Sequence, residues 1–186
     1  APQGADRFAN SISRQKVNEY IQPCRLRAEH DTSGFRCGSA PLDEWLRKYA
    51  YTNQRAGMAT TYVSTLGEAD TVVGYYALAT GGVARGEVPA RTGKGVPNHP
   101  IPVIVLARLA VDEEHQGRGL GFGLLKDALI RVASAADEIG VRALLVHAKD
   151  EEAPGFYMAA TEFEPSPLDP LQLFLLIKDL RKATEN

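Results

Sequence analysis

The sequence has 186 residues, of which 44% are hydrophobic and 24% charged, and its formal net charge is -2 at pH 7. This composition predicts one soluble domain with its own core and disfavours a generic nucleic-acid binder, which usually carries a basic excess. We expect a cytoplasmic protein with no membrane association and reduced thiols, since there is no run of roughly 18 apolar residues, no apolar signal segment and no cysteine besides Cys24 and Cys37.

Residues 1–20 are predicted to be an N-terminal extension that is partly disordered, and residues 21–182 to be the folded domain. The first predicted element is a helix capped by Ser39, with proline and two acids in its first turn and Gly57 as its end. Two segments rich in β-branched and aromatic residues follow, Thr60–Thr65 and Thr71–Leu78, and we expect an antiparallel pair.

The second half of the chain predicts alternating strands and helices. A long loop is expected over Gly81–Pro102, which is rich in proline and glycine and carries Arg85, Glu87, Arg91 and Lys94. The elements predicted after it are a buried strand Ile101–Val111, a glycine turn, an amphipathic helix ending near Gly140, a strand Val141–His147, a helix Asp150–Ala160 and a strand Leu171–Ile177. This order indicates an α/β fold with a mixed sheet in a single domain.

The glycine turn lies in the segment HQGRGLGFGLLKDAL, residues 115–129. A helix N-terminus preceded by glycines exposes unpaired N–H groups and a positive dipole end, so the turn predicts a phosphate site. The P-loop pattern is absent, and a dinucleotide-binding G-x-G-x-x-G finds Phe122 or Leu124 where its last glycine should be. The pattern that fits is Gln116-x-x-Gly119-x-Gly121, with Arg118 inside it.

This pattern resembles the pyrophosphate loop of the GNAT superfamily of acyl-coenzyme A transferases. The preceding apolar strand and the segment Ala153-Pro154-Gly155-Phe156-Tyr157, which is similar to the A-x-x-F-Y segment of that superfamily, extend the resemblance over about residues 30–178. The resemblance implies a GNAT fold, acetyl-CoA as co-substrate, and Tyr157 as the general acid that protonates the departing sulfur. The residues that it implies for cofactor binding are Leu109, Ala110, Val111, Gln116, Gly117, Arg118, Gly119, Leu120, Gly121 and Phe156.

Four further segments look like the GNAT toxins of bacterial toxin–antitoxin pairs. They are Phe35–Leu46, Gly74–Gly81, Pro102–Asp112 and Gly140–Ala148. This resemblance implies an enzyme that acetylates the α-amine of aminoacyl-tRNA and blocks translation, forms homodimers and is neutralised by a ribbon-helix-helix antitoxin. One departure is Glu162-Phe163, where the family usually has Gly-Phe.

The acceptor amine decides whether the enzyme needs a base. A lysine amine, with a pKa of about 10.4, would need one, whereas an α-amine at about 7.7–8.0 is substantially neutral at physiological pH. His147 is the best candidate for a base, although a hydrogen-bonded structural histidine is the favoured interpretation. His115 either shapes the phosphate loop or is solvated, and Asp150, Glu151 and Glu152 are expected in a first helical turn rather than as a catalytic pair.

Metal ligands and a generic basic surface are not indicated. The two cysteines and four histidines show no paired ligand spacing, so no metal is predicted. Trp45 is expected to be a core anchor. The basic residues either converge around the acceptor groove or are dispersed solubilising charges; they are Arg14, Lys16, Arg47, Lys48, Arg55, the Arg85–Lys94 loop, Lys178, Arg181 and Lys182.

Two alternative functions remain open at this stage. The first is a GNAT enzyme that acetylates a small amine, a polyamine or a protein N-terminus. The second is a catalytically silent coenzyme A-binding regulator that acts through its partners.

Overall fold

The computed structural model describes residues 20–185. The expectations for the N-terminal extension, including its basic residues Arg14 and Lys16, lie outside the described residues, apart from Tyr20. No helix in the described part of the chain is both long enough and apolar enough to cross a membrane.

A seven-stranded sheet with the order β1-β2-β3-β4-β5-β7-β6 forms the centre of the fold. Its strands are β1 (Cys24–Arg25), β2 (Thr60–Thr65), β3 (Val72–Val83), β4 (Ile101–Val111), β5 (Ala143–His147), β6 (Glu164–Pro165) and β7 (Gln172–Leu176). All neighbouring strands pair antiparallel except β4 and β5, which are parallel. The predicted mixed α/β sheet in one domain is therefore confirmed.

Helices cover both faces of this sheet. They are α1 (Ala40–Glu44), α2 (Ala50–Arg55), α3 (Ala90–Gly93), α4 (Leu120–Glu138), α5 (Ala153–Ala160) and α6 (Ile177–Thr184). The apolar stripe of α4 is buried against one face as its spacing predicts, in a core that includes Leu124, Leu125 and Val132. Gly74 in β3 allows this close approach, because a Cβ there would lie 3.0 Å from Cδ1 of Leu124.

The opposite face is covered by a continuous helix over residues 40–55. In this helix one π-helical turn, Trp45–Tyr49, joins α1 to α2. The predicted start and end are confirmed, with Gly57 in the left-handed region at φ 72°. The predicted capping by Ser39 is wrong: its side chain makes no capping bond, and the carboxylate of Asp43 instead accepts a 2.8 Å hydrogen bond from the N–H of Cys37.

The predicted loop Gly81–Pro102 is shorter than expected. Strand β3 continues to Val83, and its two glycines, Gly81 and Gly82, pair with Val103 and Pro102 instead of breaking the strand. The remaining connection contains a 3-10 turn (Arg85–Glu87) and α3. Glycines without side chains fit this exposed end of the sheet, which is why their usual reading as strand breakers failed.

The C-terminal third differs from the prediction mainly at its boundaries. Helix α5 begins at Ala153 rather than Asp150, and the Asp150 carboxylate accepts hydrogen bonds from the N–H groups of Glu152 and Ala153. Pro154 therefore lies in the first turn, where its missing N–H costs nothing. The short strand β6 and helix α6 were not predicted, and β7 is shorter than the predicted Leu171–Ile177.

Candidate active site

A gap between β4 and β5 opens a large cavity. The two strands pair only from Val103 with Ala143 to Leu106 with Val146. Beyond that point β4 continues along β3. Ala77 of β3 pairs with Arg108 and Leu78 pairs with Leu106, so Ala107 is an extra residue that forms a bulge in β4. The bulge bends β4 away from its parallel neighbour.

The cavity in this gap has a volume of about 870 Å³, the size of a small-molecule site. Its wall includes the bulged part of β4, the glycine turn and the start of α5, so the structure brings together most of the predicted site residues. These are Leu109, Ala110, Val111, Gln116, Gly117, Gly119, Gly121, Phe156 and Tyr157. Arg118 and Leu120 are not part of the wall.

The backbone of β4 supplies polar groups to this cavity. Leu109, Ala110 and Val111 pair with β3 on one side only. In an antiparallel ladder every second residue directs its N–H and C=O away from the paired neighbour. The N–H of Asp112 bonds to the carbonyl of Val73 in β3, so Ala110 also faces β3, and the backbone groups of Leu109 and Val111 face the gap. The side-chain amide of Gln116 donates 2.9 Å to the carbonyl of Val111, which leaves the N–H groups of Leu109 and Val111 as donors for a bound substrate.

The glycine turn presents the N-terminus of a 19-residue helix to the same cavity. Gly117 and Gly119 have φ values of 73° and 84°, a backbone conformation that other residues adopt only with strain. The N–H of Gly123 makes the first helical bond, to Gly119, so the N–H groups before it are free to bind an anion. Successive N–H groups in such a turn form an anion-binding nest.

Three predicted loop residues have positions that limit what they can contribute. The side chain of Gln116 is used inside the protein, since its amide also donates 3.1 Å to the carbonyl of Cys37. Arg118 is exposed, and the side chain of Leu120 is buried in the core. Leu120 can therefore meet a phosphate only through its backbone N–H.

Tyr157 is held in the cavity wall by aromatic contacts. Its ring makes edge contacts with Phe156 at 5.0 Å and with Phe163 at 5.9 Å between ring centroids, and the side chain is only 7% exposed. Burial raises the pKa of Tyr157 to about 12, so its hydroxyl is protonated at neutral pH. Within residues 20–185 this hydroxyl makes no hydrogen bond, so it is available to a substrate as a donor.

Glu162, at the position where the family usually has glycine, does not disturb the packing of Tyr157. Phe163, which follows it, is buried and supports the ring of Tyr157. None of the described residues other than glycine has a positive φ, so glutamate at this position has an ordinary backbone conformation.

Two histidines line the cavity, and they differ in their partners. Nδ1 of His115 is 3.0 Å from the hydroxyl of Tyr20, so His115 is fixed beside the glycine turn rather than freely solvated. His147, at the end of β5, is exposed and makes no side-chain hydrogen bond within residues 20–185. The favoured interpretation of His147 as a hydrogen-bonded structural residue is therefore wrong.

Sequence reasoning missed several residues of the wall. Pro41, Leu42 and Cys37 come from the start of the 40–55 helix and the loop before it, Arg108 comes from β4, and Phe122 comes from the first turn of α4. No local motif marks the residues of the helix and its preceding loop, because only the tertiary fold brings them to the gap. The guanidinium of Arg108 lies 4.5 Å from the ring centroid of Trp45, which stacks on Tyr75 as the expected core anchor.

Neither a cysteine nucleophile nor a metal centre is indicated here. Burial and the hydrogen bond with Asp43 raise the pKa of Cys37 to about 11, so its thiol is protonated. Asp112, Glu114 and His115 place possible ligand atoms within 4.8 Å of one another. Asp112 already accepts hydrogen bonds from the N–H groups of Arg36 and Glu114, however, so this cluster closes a turn.

Of the two alternatives for the basic residues, dispersal rather than convergence on the cavity holds for two of the groups. Gly74 of β3 pairs with Val111 at the cavity end of the sheet, and Val83 pairs with Ile101 at the other end. The Arg85–Lys94 loop follows Val83, and helix α6 follows the end of β7 that pairs with Ala143, so both lie at the end away from the cavity. Many of these charges are used in ion pairs: Arg91 with Glu164 and Asp179, Arg181 with Asp137, and Lys182 with Asp179.

Residues 26–161 match the acetyltransferase (GNAT) family. The chain belongs to the GNAT family. The splayed part of β4, the glycine turn and Tyr157 of this GNAT acetyltransferase line one cavity.

Individual relatives are similar over almost their whole length. A tRNA-acetylating toxin of Mycobacterium tuberculosis (strain ATCC 25618 / H37Rv) is 48% identical over 165 residues, which cover 89% of this chain and 97% of the relative. Among solved structures, AtaT complexed with acetyl-methionyl-tRNAfMet has a TM-score of 0.80 and 28% identity, covering 88% of this chain and 98% of AtaT. A mutant AtaT toxin bound to the C-terminus of the antitoxin AtaR and acetyl-CoA has a TM-score of 0.75 and 26% identity, covering 91% of this chain and 100% of that one.

Proposed function

We propose that this GNAT acetyltransferase moves an acetyl group from acetyl-CoA to the α-amine of aminoacyl-tRNA and so stops translation. The observation that carries the proposal is the cavity at the gap between β4 and β5, where free strand N–H groups, a phosphate-binding helix terminus and a protonated tyrosine face one space. The 48% identity to a tRNA-acetylating toxin supports the choice of acceptor.

The cavity fits acetyl-CoA, whose thioester supplies an activated acetyl group. The N–H groups of Gly119, Leu120 and Gly121 would bind the pyrophosphate at the positive end of α4, with Gly117 allowing the turn. The free backbone N–H groups of Leu109 and Val111 would bind the pantetheine amides and polarise the thioester carbonyl. Phe156 packs beside Gly121, where a Cβ would lie 3.5 Å from its ring, so this contact shapes the floor of the site.

Proton transfer in the reaction would rest on Tyr157. Attack by the neutral amine forms the C–N bond and the C–S bond breaks. The nitrogen then gives up its extra proton to solvent water, from which the tyrosine hydroxyl is reprotonated, and the departing thiolate must receive a proton. The hydroxyl of Tyr157, protonated because its pKa is about 12, would donate it. An aminoacyl ester should lower the pKa of its α-amine below about 8, so the acceptor needs no dedicated base.

The partners of this enzyme are proposed from the same relatives. A mutant AtaT toxin is seen with the C-terminus of its antitoxin AtaR, and we propose that an antitoxin of the ribbon-helix-helix class neutralises this chain. We further propose that the chain forms homodimers and, because charged tRNA is its substrate, that it acts in the cytoplasm. Gel filtration with light scattering tests the dimer directly, and a monomer at micromolar concentration would contradict it.

Transfer of labelled acetyl to a panel of acceptors tests the function. The panel is a mixed pool of charged tRNAs, uncharged tRNA, a polyamine and a lysine peptide. We expect label on charged tRNA alone, removed together with the amino acid by mild ester hydrolysis. Label on the polyamine or peptide alone would instead assign a small-amine or protein acetyltransferase, and tight acetyl-CoA binding without any transfer would assign a silent regulator.

A further inference from the structure

A second cavity of about 390 Å³ lies at the far end of the 40–55 helix. It is lined by three arginines, Arg25, Arg27 and Arg55, together with Tyr51, Gln54 and Glu29. We call this cavity the arginine pocket. Of these arginines, only Arg55 is among the basic residues considered in the sequence analysis. Arg25 and Arg27 lie far from Arg55 in the sequence, and only the fold brings β1 next to the end of the helix.

Charge in the arginine pocket is poorly compensated. Arg25 and Arg55 form no ion pair with any described residue, and Arg27 has only a long 3.8 Å contact with Glu29, in which both side chains are more than half exposed. Such an exposed contact contributes little. Neighbouring cations differ, since Lys48 pairs with Glu44 at 2.7 Å and Arg131 with Asp127 at 2.8 Å. The pocket therefore holds an excess of positive charge.

Two partly buried hydrogen bonds hold the shape of this pocket before any ligand arrives. The side chain of Gln54 donates 2.8 Å to the carbonyl of Leu26 and accepts 3.1 Å from the N–H of Thr61, which joins the helix to β2 and to the chain after β1. Leu26 itself is buried. The arginines thus project from a fixed frame, and a guanidinium on such a frame suits bidentate binding of phosphate.

The helix connects the arginine pocket to the active site. Pro41 and Leu42 line the active-site cavity, and Tyr51 and Arg55 line the arginine pocket. At about 1.5 Å per residue, Leu42 and Arg55 are about 20 Å apart along the helix axis. A stacked strand advances about 3.4 Å per phosphate, so this separation corresponds to about six nucleotides, and to fewer in an extended strand.

We propose that the arginine pocket binds the phosphodiester backbone of the unpaired 3′ end of the tRNA while its aminoacyl end lies in the active-site cavity. This inference rests on the proposed function. Arginines interleaved with an exposed aromatic side chain, here Tyr51, form the surface that binds single-stranded nucleic acid, with the ring available to stack on a base. The arginine pocket also explains how a chain with a net charge of -2 could bind a polyanionic substrate, because the positive charge is concentrated at one place.

The test compares two triple variants of equal charge. The pocket variant is Arg25→Gln, Arg27→Gln and Arg55→Gln. The control variant is Arg85→Gln, Lys94→Gln and Lys178→Gln, which removes three exposed cations at the end of the sheet away from the active-site cavity. For each protein, steady-state acetylation of charged tRNA is measured over a range of salt concentrations, together with the Kd for acetyl-CoA and the Kd for uncharged tRNA.

The pocket variant is expected to raise the KM for charged tRNA on the order of 10- to 100-fold, with kcat and the acetyl-CoA Kd unchanged. Loss of three phosphate contacts should also make the salt dependence of log kcat/KM shallower by about 2. The control variant should change KM by less than about 3-fold, and Glu29→Gln, which removes the acid of the pocket, should lower KM roughly 2-fold.

Three results would overturn one proposal or the other. Equal tRNA kinetics for the pocket and control variants would refute the arginine pocket as an RNA site. Unchanged tRNA kinetics with loss of binding to a polyglutamate peptide would assign the pocket to an acidic protein partner instead. Failure of the unmodified enzyme to acetylate charged tRNA would refute the proposed function, and the Kd for uncharged tRNA would still report separately on the pocket.

Discussion

Replacement of Tyr157 by phenylalanine removes one oxygen atom from the active-site cavity. The ring contacts with Phe156 at 5.0 Å and Phe163 at 5.9 Å do not involve this oxygen, so the packing is retained. The hydroxyl makes no hydrogen bond within residues 20–185, so no buried partner is left unpaired. We therefore expect the free energy of unfolding at pH 7 to change by less than about 1 kcal/mol.

The effect on catalysis should be much larger than the effect on stability. A positioned proton donor contributes about 10²- to 10⁴-fold to a rate, so Tyr157→Phe should lower kcat by that factor, about 3–5 kcal/mol in the barrier. Because the pKa of Tyr157 is about 12, the donor is fully protonated throughout the neutral range. The rate of the unmodified enzyme should thus rise with pH as the acceptor amine deprotonates, with no loss from Tyr157 below about pH 11.

The assay is acetylation of charged tRNA at saturating acetyl-CoA, with the acetyl-CoA Kd measured by calorimetry and stability by urea unfolding. Tyr62→Phe is the matched control, because Tyr62 lies in β2, outside the cavity, and its ring stacks on Tyr76. We expect Tyr157→Phe to bind acetyl-CoA within about 2-fold of the unmodified enzyme while turning over slowly. A kcat within about 3-fold of the unmodified enzyme would refute the assignment of Tyr157 as the acid.

Three further predictions follow from the geometry of the site. Gly119→Ala should weaken acetyl-CoA binding about 10-fold and destabilise the fold by about 1–2 kcal/mol, because φ is 84° at Gly119. Its control, Gly123→Ala inside α4, where a Cβ has open space, should stabilise the fold by up to about 1 kcal/mol and leave the acetyl-CoA Kd unchanged. Calorimetry measures the Kd and urea unfolding the stability, and equal effects of the two variants would contradict a phosphate site at the turn. His147→Gln should change kcat/KM for charged tRNA at pH 8 by less than about 3-fold, because the α-amine needs no base, and a loss above 10²-fold would identify His147 as one. Burial raises the pKa of Tyr157 from its ordinary value of 10 to about 12, so the contribution of this group to stability is present below pH 10 and lost as pH rises through 12. Between pH 8 and pH 12, Tyr157→Phe should therefore lose about 2–3 kcal/mol less stability than the unmodified enzyme in urea unfolding. The same pH dependence in both proteins would show that Tyr157 is not buried in the way described.

The local elements of the site could be predicted from the sequence because their signals are short in range. The apolar run of β4, the glycines of the turn and the apolar spacing of α4 each lie within a few residues, and each reflects one physical requirement: burial, positive φ or one buried helix face. Tyr157 was found through a five-residue resemblance, Ala153 to Tyr157. Its burial and raised pKa could not be predicted, because they depend on Phe163 and the core.

The arrangement of distant segments could not be predicted in the same way. The basic residues of the Arg85–Lys94 loop were considered candidates for the acceptor groove, but strand direction places that loop at the opposite end of the sheet. The bulge at Ala107 and the contact of the Gln116 side chain with the carbonyl of Cys37 also depend on pairing between segments far apart in the chain. A single sequence does not show which distant segments pair, because tertiary packing and the free energy of loop closure together determine these contacts.

The position of the acetyl group on the product distinguishes α-amine acetylation from modification of a side chain or a base. Charged tRNA is incubated with the enzyme and acetyl-CoA, digested with nuclease to release the terminal aminoacyl-adenosine, and analysed by mass spectrometry with fragmentation. We expect acetyl on the α-amine of the amino acid, including for lysyl-tRNA, where a side-chain amine competes. Acetyl on the lysine side chain or on a nucleobase, or unmodified aminoacyl-adenosine beside an acetylated polyamine or peptide, would contradict the proposed function.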